Sequence, residues 1–268
     1  MPKRPIIIIS VLCVIALALG YWSGQGKRGG DSNSAANSKI DEGITSGREP
    51  KSEKVKEPNF LKAGLVAFYP LDGHGNDLSG NVNHCKMHDV KEASDRFGKQ
   101  GGSLFFNGKS SYLESSNAFN LGSEEITISL WVYPTRRQDT FSVSLVRCDP
   151  WSFYMQQPNN IHGWCHGVSG ATPTGSVADK KWTQVAYRFR RNQLDLFING
   201  RVASSAKGGT INKTQPRFIN IGGHWANSRV EESFAGYLDD IRVFNRALSD
   251  REIYQLYDLH KIQTIRVP

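Results

Sequence analysis

Oxygen-bearing side chains that could hold a metal ion occur in two parts of the chain. Asp77 and Asn81 belong to a segment rich in Gly, Asn and Asp, and Asp239 and Asp240 are adjacent near the C-terminus. Carboxylate and amide oxygens are the ligands that calcium prefers. Two adjacent carboxylates repel each other unless a cation or an arginine such as Arg242 compensates them. These four residues are therefore candidate calcium ligands, with turn capping and an Arg242–Asp240 ion pair as the alternative.

Aromatic side chains in predicted loops are candidates for a sugar-binding site, because the C–H faces of sugars stack on indole rings. Trp151 and Trp225 rank highest, since Pro150 and Asn227 indicate loops around them, and His224 adjoins Trp225. The alternative is that these aromatic rings fill the ends of the core. Further candidates of the same kind are Tyr154, Trp164, His162 and His166.

No pattern indicates catalysis. Glycoside hydrolysis needs two carboxylates that flank the scissile bond. The acidic pairs Glu124-Glu125 and Glu231-Glu232 are adjacent in sequence, so on a strand their side chains would point to opposite faces. A nucleophile elbow, a phosphate-binding loop and an HExxH motif are all missing from the sequence. We therefore predict that the protein is not an enzyme.

The composition is that of a folded, basic protein. The chain has 268 residues, 38% of them hydrophobic, and a net charge of +8. A basic surface attracts anionic polymers such as sulfated glycans, or simply keeps the protein soluble. No block of five like charges and no nucleic-acid-binding motif occurs, so nucleic acid is excluded as a partner.

The four cysteines do not form a zinc motif, because no Cys/His spacing of that kind is present. Cys13 lies in an apolar N-terminal run. Cys148 and Cys165 flank a predicted strand–turn–strand unit, which makes a cross-strand disulfide reasonable in an exported protein. Buried free thiols are the alternative, and Cys85 would be unpaired in either case.

The N-terminal quarter predicts export. Residues 1–26 combine Lys3 and Arg4 with an apolar run, which indicates a signal-anchor helix or a cleaved signal peptide, and we favour the anchor. Residues 27–59 are polar and predict a disordered linker. The remainder would then lie outside the cytoplasm, anchored in the cell envelope or alternatively secreted.

The rest of the chain alternates apolar and polar residues in short runs that are separated by turn residues, as in a β-sandwich. Residues 126–134 predict a core strand. Asn107-Gly108 and Asn199-Gly200 predict hairpins over residues 103–114 and 193–203.

The stretch 234–248 predicts a closing strand, with Asp239 on the same face as Ile241 and Val243. Ser249 and Glu252 then form a capping box, which predicts a short C-terminal helix.

Three segments match one protein family in the same order along the chain. Residues 236–249 read GYLDDIRVFNRALS, residues 64–73 read GLVAFYPLDG, and residues 126–134 read ITISLWVYP. The family patterns at these places are G-x-I-D-D-V-R-I-Y-N-R-A-L-S, L-V-A-Y-(W/Y/F)-P-L-D-G and F-T-I-S-x-W-V-x-P. The chain resembles, over roughly residues 64–258, the LamG-like jelly-roll domains (laminin G type 3) of the concanavalin A-like lectin/glucanase superfamily.

The resemblance implies an all-β fold, a two-sheet antiparallel jelly-roll sandwich with a short C-terminal helix, which we assign to residues 60–262. It also implies that the first and last strands are neighbours. The segment that holds Asp77 would then meet Asp240 at one rim, where a structural calcium is expected. Ser111 stands where the family usually has Asp, which removes one carboxylate from that region.

The resemblance and the residues together predict a non-catalytic binding module outside the cytoplasm. It would recognise a carbohydrate or an extracellular protein partner through its rim loops, and it would contact the membrane through the N-terminal segment. The alternatives are a protein-adhesion or surface-spacing domain without glycan specificity, and a degenerate glycoside hydrolase, because this fold hosts all of these functions.

Overall fold

The structure is a computed structural model. The ranges that it describes are 58–118, 121, 123–138, 142–148, 151–211 and 218–264, with side chains to residue 259. The predicted membrane segment 1–26 and nearly all of the predicted linker 27–59 lie outside these ranges. Within them, no helix has the length and apolar character needed to cross a bilayer.

The larger of two antiparallel sheets has eight strands. Its order is β13-β12-β11-β6-β17-β4-β3, and β1 also pairs with β17. The strands are β1 (Leu65–Tyr69), β3 (Lys91–Ala93), β4 (Ser103–Asn107), β6 (Ile126–Pro134), β11 (Thr183–Arg190), β12 (Gln193–Ile198), β13 (Arg201–Lys207) and β17 (Ala235–Phe244).

The second sheet has seven strands in the order β10-β9-β8-β7-β14-β5-β2. A two-stranded ribbon, β15 (His224–Ala226) with β16 (Arg229–Glu231), follows β14 in the chain. The strands of the second sheet are β2 (Cys85–His88), β5 (Tyr112–Ser115), β7 (Ser142–Cys148), β8 (Trp151–Gln156), β9 (Asn160–Cys165), β10 (Val168–Ala171) and β14 (Asn220–Ile221).

The two sheets pack face to face over one apolar core, because alternate residues of each strand point inward. On β8, for example, Trp151, Phe153 and Met155 are buried, whereas Ser152 and Tyr154 face outward. The predicted all-β jelly-roll sandwich is confirmed.

The outer face of the larger sheet is covered by helix. Helix α1 (Asp250–Thr264) and a 3-10 helix (Asn59–Leu61) pack on it and form a second apolar cluster. Both helices of the described chain thus lie on the same side of the sandwich. The buried members of the cluster are Leu61, Ala186, Phe197, Phe244, Leu248, Ile253 and Leu256.

Strand β17 does not alternate as the sequence predicted. The register shifts between Asp239 and Arg242, because Asp240 is an extra residue with φ +50°. As a result Ile241 faces the core, whereas Asp239 pairs with Trp131 on the helix-covered face. The expectation that Asp239 shares a face with Ile241 is therefore wrong.

One of the two predicted hairpins is also wrong. β4 and β5, on either side of Asn107-Gly108, belong to different sheets, so the chain crosses the sandwich at this turn instead of folding back. The side-chain oxygen of Asn107 accepts hydrogen bonds from the backbone N–H groups of Lys109 and Ser110, which stabilises the crossing. The other hairpin, β12 with β13, forms around Asn199-Gly200 as predicted.

The predicted disulfide between Cys148 and Cys165 does not form in the structure, where both cysteines are buried and neither is in a disulfide. Trp151 on β8 is the cross-strand partner of both cysteines, so they lie on the strands to either side of it. Two strand spacings amount to roughly 10 Å, whereas a disulfide needs Cα atoms within about 7 Å. Burial raises the pKa of Cys165 to about 11, so that thiol stays protonated.

The predicted capping box at the start of α1 is confirmed. The backbone N–H of Ser249 donates to the Glu252 carboxylate at 2.7 Å, and the N–H of Glu252 donates to Ser249 Oγ at 3.3 Å. Arg246 adds a hydrogen bond of 2.7 Å to the same carboxylate. The hydrogen bonds from Arg246 and Ser249 lower the pKa of Glu252 to about 2.

We expect Glu252→Gln to destabilise the domain at pH 7 by about 1 kcal/mol, because a neutral amide loses the charge-assisted hydrogen bonds that the carboxylate accepts from Arg246 and Ser249. Because the pKa of Glu252 is lowered on folding, its contribution is present above the unfolded pKa and is lost as the pH falls towards 2. Urea unfolding from pH 7 to pH 2 would measure the difference, with Glu92→Gln as an exposed control. A difference that does not shrink at low pH would contradict the assignment.

Candidate functional site

The predicted calcium-binding segment serves a different purpose in the structure. Asp77 is buried, and its two carboxylate oxygens accept four hydrogen bonds. The donors are the backbone N–H groups of Phe68, Ser79 and Asn83 at 2.8–2.9 Å, together with the Ser79 hydroxyl at 2.9 Å. These bonds occupy the positions that a cation would need.

The same segment closes one edge of β1. Ser79 Oγ, Asn81 Nδ2 and Asn83 Nδ2 donate to the backbone oxygen of Val66 at 2.9–3.1 Å, and Asn81 also donates to the oxygen of Leu65. β1 pairs with β17 on its other edge. Polar residues at alternate positions thus replace a missing neighbour strand, which protects an otherwise open sheet edge.

A guanidinium group compensates Asp239 and Asp240. Arg96, whose side chain is only 6% exposed, forms ion pairs with both carboxylates, at 2.6 Å for Asp240. Its guanidinium also lies 4.7 Å from the centre of the Trp131 ring. Arg242 lies 3.6 Å from Asp240, as the alternative interpretation expected. Burial, followed by the charge of Asp240, raises the pKa of Asp239, and Arg96 opposes this effect.

These surroundings do not fit a calcium ion. Asp77 is saturated by protein donors, and Asp239 and Asp240 are already paired with a cation of the protein itself. Among the residues that the structure describes, no group of three or more His, Cys, Asp or Glu side chains could hold a metal. Structural calcium remains a prediction from the resemblance, without support from these contacts.

The predicted ligand-binding aromatics separate into one buried and one exposed residue. Trp151 is fully buried, because β8 begins at this residue and places its ring in the core. It therefore cannot stack on a ligand at the surface. Trp225, on β15, is 58% exposed, and its neighbour His224 is half-buried.

His224 adjoins a polar cluster on the outer side of the second sheet. Arg147 Nη1 on β7 donates to Glu232 at 3.1 Å and lies 3.3 Å from His224 Nε2. The Ser144 hydroxyl donates to the same Glu232 oxygen at 2.6 Å, and the Ser144 N–H donates to the Glu232 backbone oxygen at 2.8 Å. These bonds hold the base of the ribbon against β7.

Aromatic side chains of β8 and β9 continue this surface. Trp164 is 36% exposed, and Tyr154 stacks on His162 with a ring separation of 5.3 Å. Burial lowers the pKa of His162, and burial followed by the charge of Arg147 lowers that of His224, which favours the neutral form of both rings. A groove of about 380 Å³ lies here, and it is lined by Ser142, Arg147, Ser152, Tyr154, Gln156, Trp164 and Glu232.

Sequence reasoning identified Tyr154, Trp164 and His162 as candidates but missed Arg147 and Glu232. The strict alternation in β8 could have placed Ser152 and Tyr154 on the solvent face. The sequence around Glu232 does not indicate its role, because the residues that it contacts on β7 are far from it in sequence.

Comparison with known proteins agrees with this fold. Residues 107–254, more than half of the chain, match the third laminin-G family model, described as concanavalin A-like lectin/glucanases superfamily. The chain belongs to this family, and the family resemblance of the sequence is confirmed. No curated protein matches the chain.

Similar solved structures share the fold at low sequence identity. Domain 4 of AbnA, a GH43 extracellular arabinanase from Geobacillus stearothermophilus, in complex with arabinotriose, has a TM-score of 0.58 and 17% identity, covering 73% of this chain and 98% of that one. The binding domain of Paraclostridial Mosquitocidal Protein 1 has a TM-score of 0.60 and 19% identity, and the match covers 75% of this chain and 53% of that one. The ligand-binding domain of botulinum neurotoxin serotype D, in complex with N-acetylneuraminic acid, has a TM-score of 0.55 and 14% identity, and the match covers 74% of this chain and 52% of that one.

We expect Asp77→Asn to destabilise the domain by about 1–3 kcal/mol, because an amide N–H₂ would face backbone donors in a buried position. Asp72→Asn, at a surface pair with Lys99, should cost at most about 1 kcal/mol. Thermal unfolding in calcium and in chelator would test both variants. If Asp77 closes the edge of β1, its variant should lose the same stability in calcium and in chelator. A loss of stability seen only in calcium would instead support the predicted metal site.

Proposed function

We propose that the domain is a non-catalytic binding module that recognises a carbohydrate through the outer face of its second sheet. The observation that carries the proposal is the groove beside Trp164, which lies on the side of the sandwich opposite to α1. The sequence predicted recognition by rim loops, whereas here the strands of this sheet and the adjoining ribbon would contact the ligand.

The side chains around the groove match the chemistry of sugars. The exposed indole of Trp164 offers an apolar face for sugar C–H groups. Arg147, Glu232 and Ser152 offer donors and acceptors for hydroxyl groups. An apolar surface with a few converging polar groups is typical of small-ligand sites.

The names of similar structures favour the same class of ligand. The arabinanase domain is described in complex with arabinotriose, and the neurotoxin domain in complex with N-acetylneuraminic acid. The identities of 17% and 14% do not transfer either ligand, so they support a carbohydrate as the class only.

We do not propose catalysis at this groove. Glu232 is the one carboxylate among its described lining residues, and it is already hydrogen-bonded to Ser144 and Arg147. Hydrolysis of a glycosidic bond needs a second carboxylate across the bond. A protein partner remains the alternative, and exposed Trp225 on the ribbon favours it, since Trp is enriched at protein interfaces.

We also propose that the domain acts outside the cytoplasm, held in the cell envelope by residues 1–26. The support is the basic and apolar sequence of that segment. Fusion of a reporter enzyme to the C-terminus would test the orientation.

A glycan array with the full chain tests the proposed ligand class. We expect specific binding, and Trp164→Ala should weaken it at least about tenfold, because a stacked Trp typically contributes about 2 kcal/mol. Tyr254→Ala is the matched control, since Tyr254 is 39% exposed on α1, on the other side of the sandwich. Binding that Trp164→Ala leaves intact, or an array without any binding, would refute this site as a sugar-binding surface.

A further inference from the structure

One row of side chains crosses the whole outer face of the second sheet. Cross-strand partners in a sheet point to the same face, and the strand registers join one residue from each of the seven strands into a continuous row. Every member is exposed or half-buried, and all except Trp164 are polar. In spatial order the members are Ser169, Trp164, Ser152, Arg147, Asn220, Glu114 and Lys86.

The row is much longer than the groove. Seven strands at the usual spacing of about 4.8 Å extend over roughly 29 Å. The groove takes only the part from β9 to β7, around Trp164, Ser152 and Arg147. Beyond it, Asn220 on β14, Glu114 on β5 and Lys86 on β2 continue the polar row to the edge of the sheet.

The charges of the row compensate each other. Arg147 is paired with Glu232 at 3.1 Å, and Glu114 lies directly across from Lys86. The row itself carries Arg147, Lys86 and Glu114, a net charge of +1, and Glu232 beside it brings the sum to zero, although the chain as a whole carries +8. A surface of this kind favours a hydroxyl-rich, uncharged ligand over an anionic one.

The ribbon borders the row along one side. His224 lies 3.3 Å from Arg147, and Trp225, which is 58% exposed, follows it on β15. Ser169 and Lys86, at the two ends of the row, are exposed, and the ribbon bounds the row along one side, as a surface for a chain-like ligand would be.

We propose that the ligand is an uncharged polysaccharide whose chain lies across the strands, from Trp164 to Lys86. An internal run of several sugar units is then recognised, and not a single terminal sugar. This inference rests on the proposed function and adds the charge and the length of the ligand to it.

Affinity electrophoresis tests the ligand charge. The full chain is run in gels that contain arabinan, xylan or dextran as uncharged polymers, or pectin or dextran sulfate as anionic ones. We expect retention by at least one uncharged polymer and its loss in Trp164→Ala. Retention by the anionic polymers alone would overturn the inference while leaving a carbohydrate function in place.

An oligosaccharide ladder prepared from the retaining polymer tests the ligand length. The double variant K86S/E114S keeps the net charge and removes the far end of the row, and K99S/D72S does the same at an exposed ion pair elsewhere. We expect K86S/E114S to bind the longest oligomers about five- to tenfold more weakly than the wild type, the effect of losing one or two hydrogen bonds. It should bind disaccharides and trisaccharides like the wild type, and K99S/D72S should bind all lengths normally.

The outcomes separate the two proposals. If Trp164→Ala abolishes binding but affinity does not rise with oligomer length, or if K86S/E114S matches the wild type on the longest oligomers, the extended site is wrong and the sugar-binding groove stands. If no polymer retains the wild-type chain, both proposals fail. Thermal unfolding of each variant establishes that a loss of binding is not a loss of folding.

Discussion

The arrangement of the larger sheet depends on β17, which hydrogen-bonds to neighbours along both of its edges. β6 occupies one edge, whereas β4 and then β1 share the other. The bulge at Asp240 lies between the residues that pair with β4 and those that pair with β1. Both carboxylates of the bulge are bound by Arg96, so one guanidinium stabilises the place where the strand changes partner. A buried carboxylate at Asp239 and a half-buried one at Asp240 would be costly without such a partner.

The position of the candidate site follows from how the two sheets are covered. A sheet with two apolar faces needs another layer of structure packed on each face. For the larger sheet, the second sheet covers the inner face and α1 covers the outer one. The second sheet buries one face only, so its strands alternate apolar inward and polar outward, as in β8. Its outward side chains are held in register by the ladder hydrogen bonds, and such a rigid array positions ligand contacts better than loops do. The ribbon adds His224 and Trp225 at the margin of this array.

Local patterns in the sequence predicted those elements whose causes are local. The capping box of Ser249 and Glu252 acts over three residues, and the Asn199-Gly200 hairpin over two, so both were correct. The hydrogen bonds of Asp77 could not be predicted from the sequence, because its partners include the edge of β1, which exists only after β1 has paired with β17. The residues around Asp240 do not by themselves indicate a bulge, because the bulge forms where the neighbouring strand changes from β4 to β1. Trp151 was placed in a loop because Pro150 precedes it, yet the strand begins at the next residue.

The pairing of β1 with β17 also determines when folding can finish. Leu65, at the start of the described domain, pairs with Phe244, near its end, and β17 is the last strand in the described part of the chain. Until β17 leaves the ribosome, β6 and β4 lack the neighbour that joins them, and their apolar faces stay accessible to other chains. Such long-range pairings form slowly, and unpaired strands of this kind are prone to associate. The nascent chain is therefore open to association with other chains until its last described strand has been made.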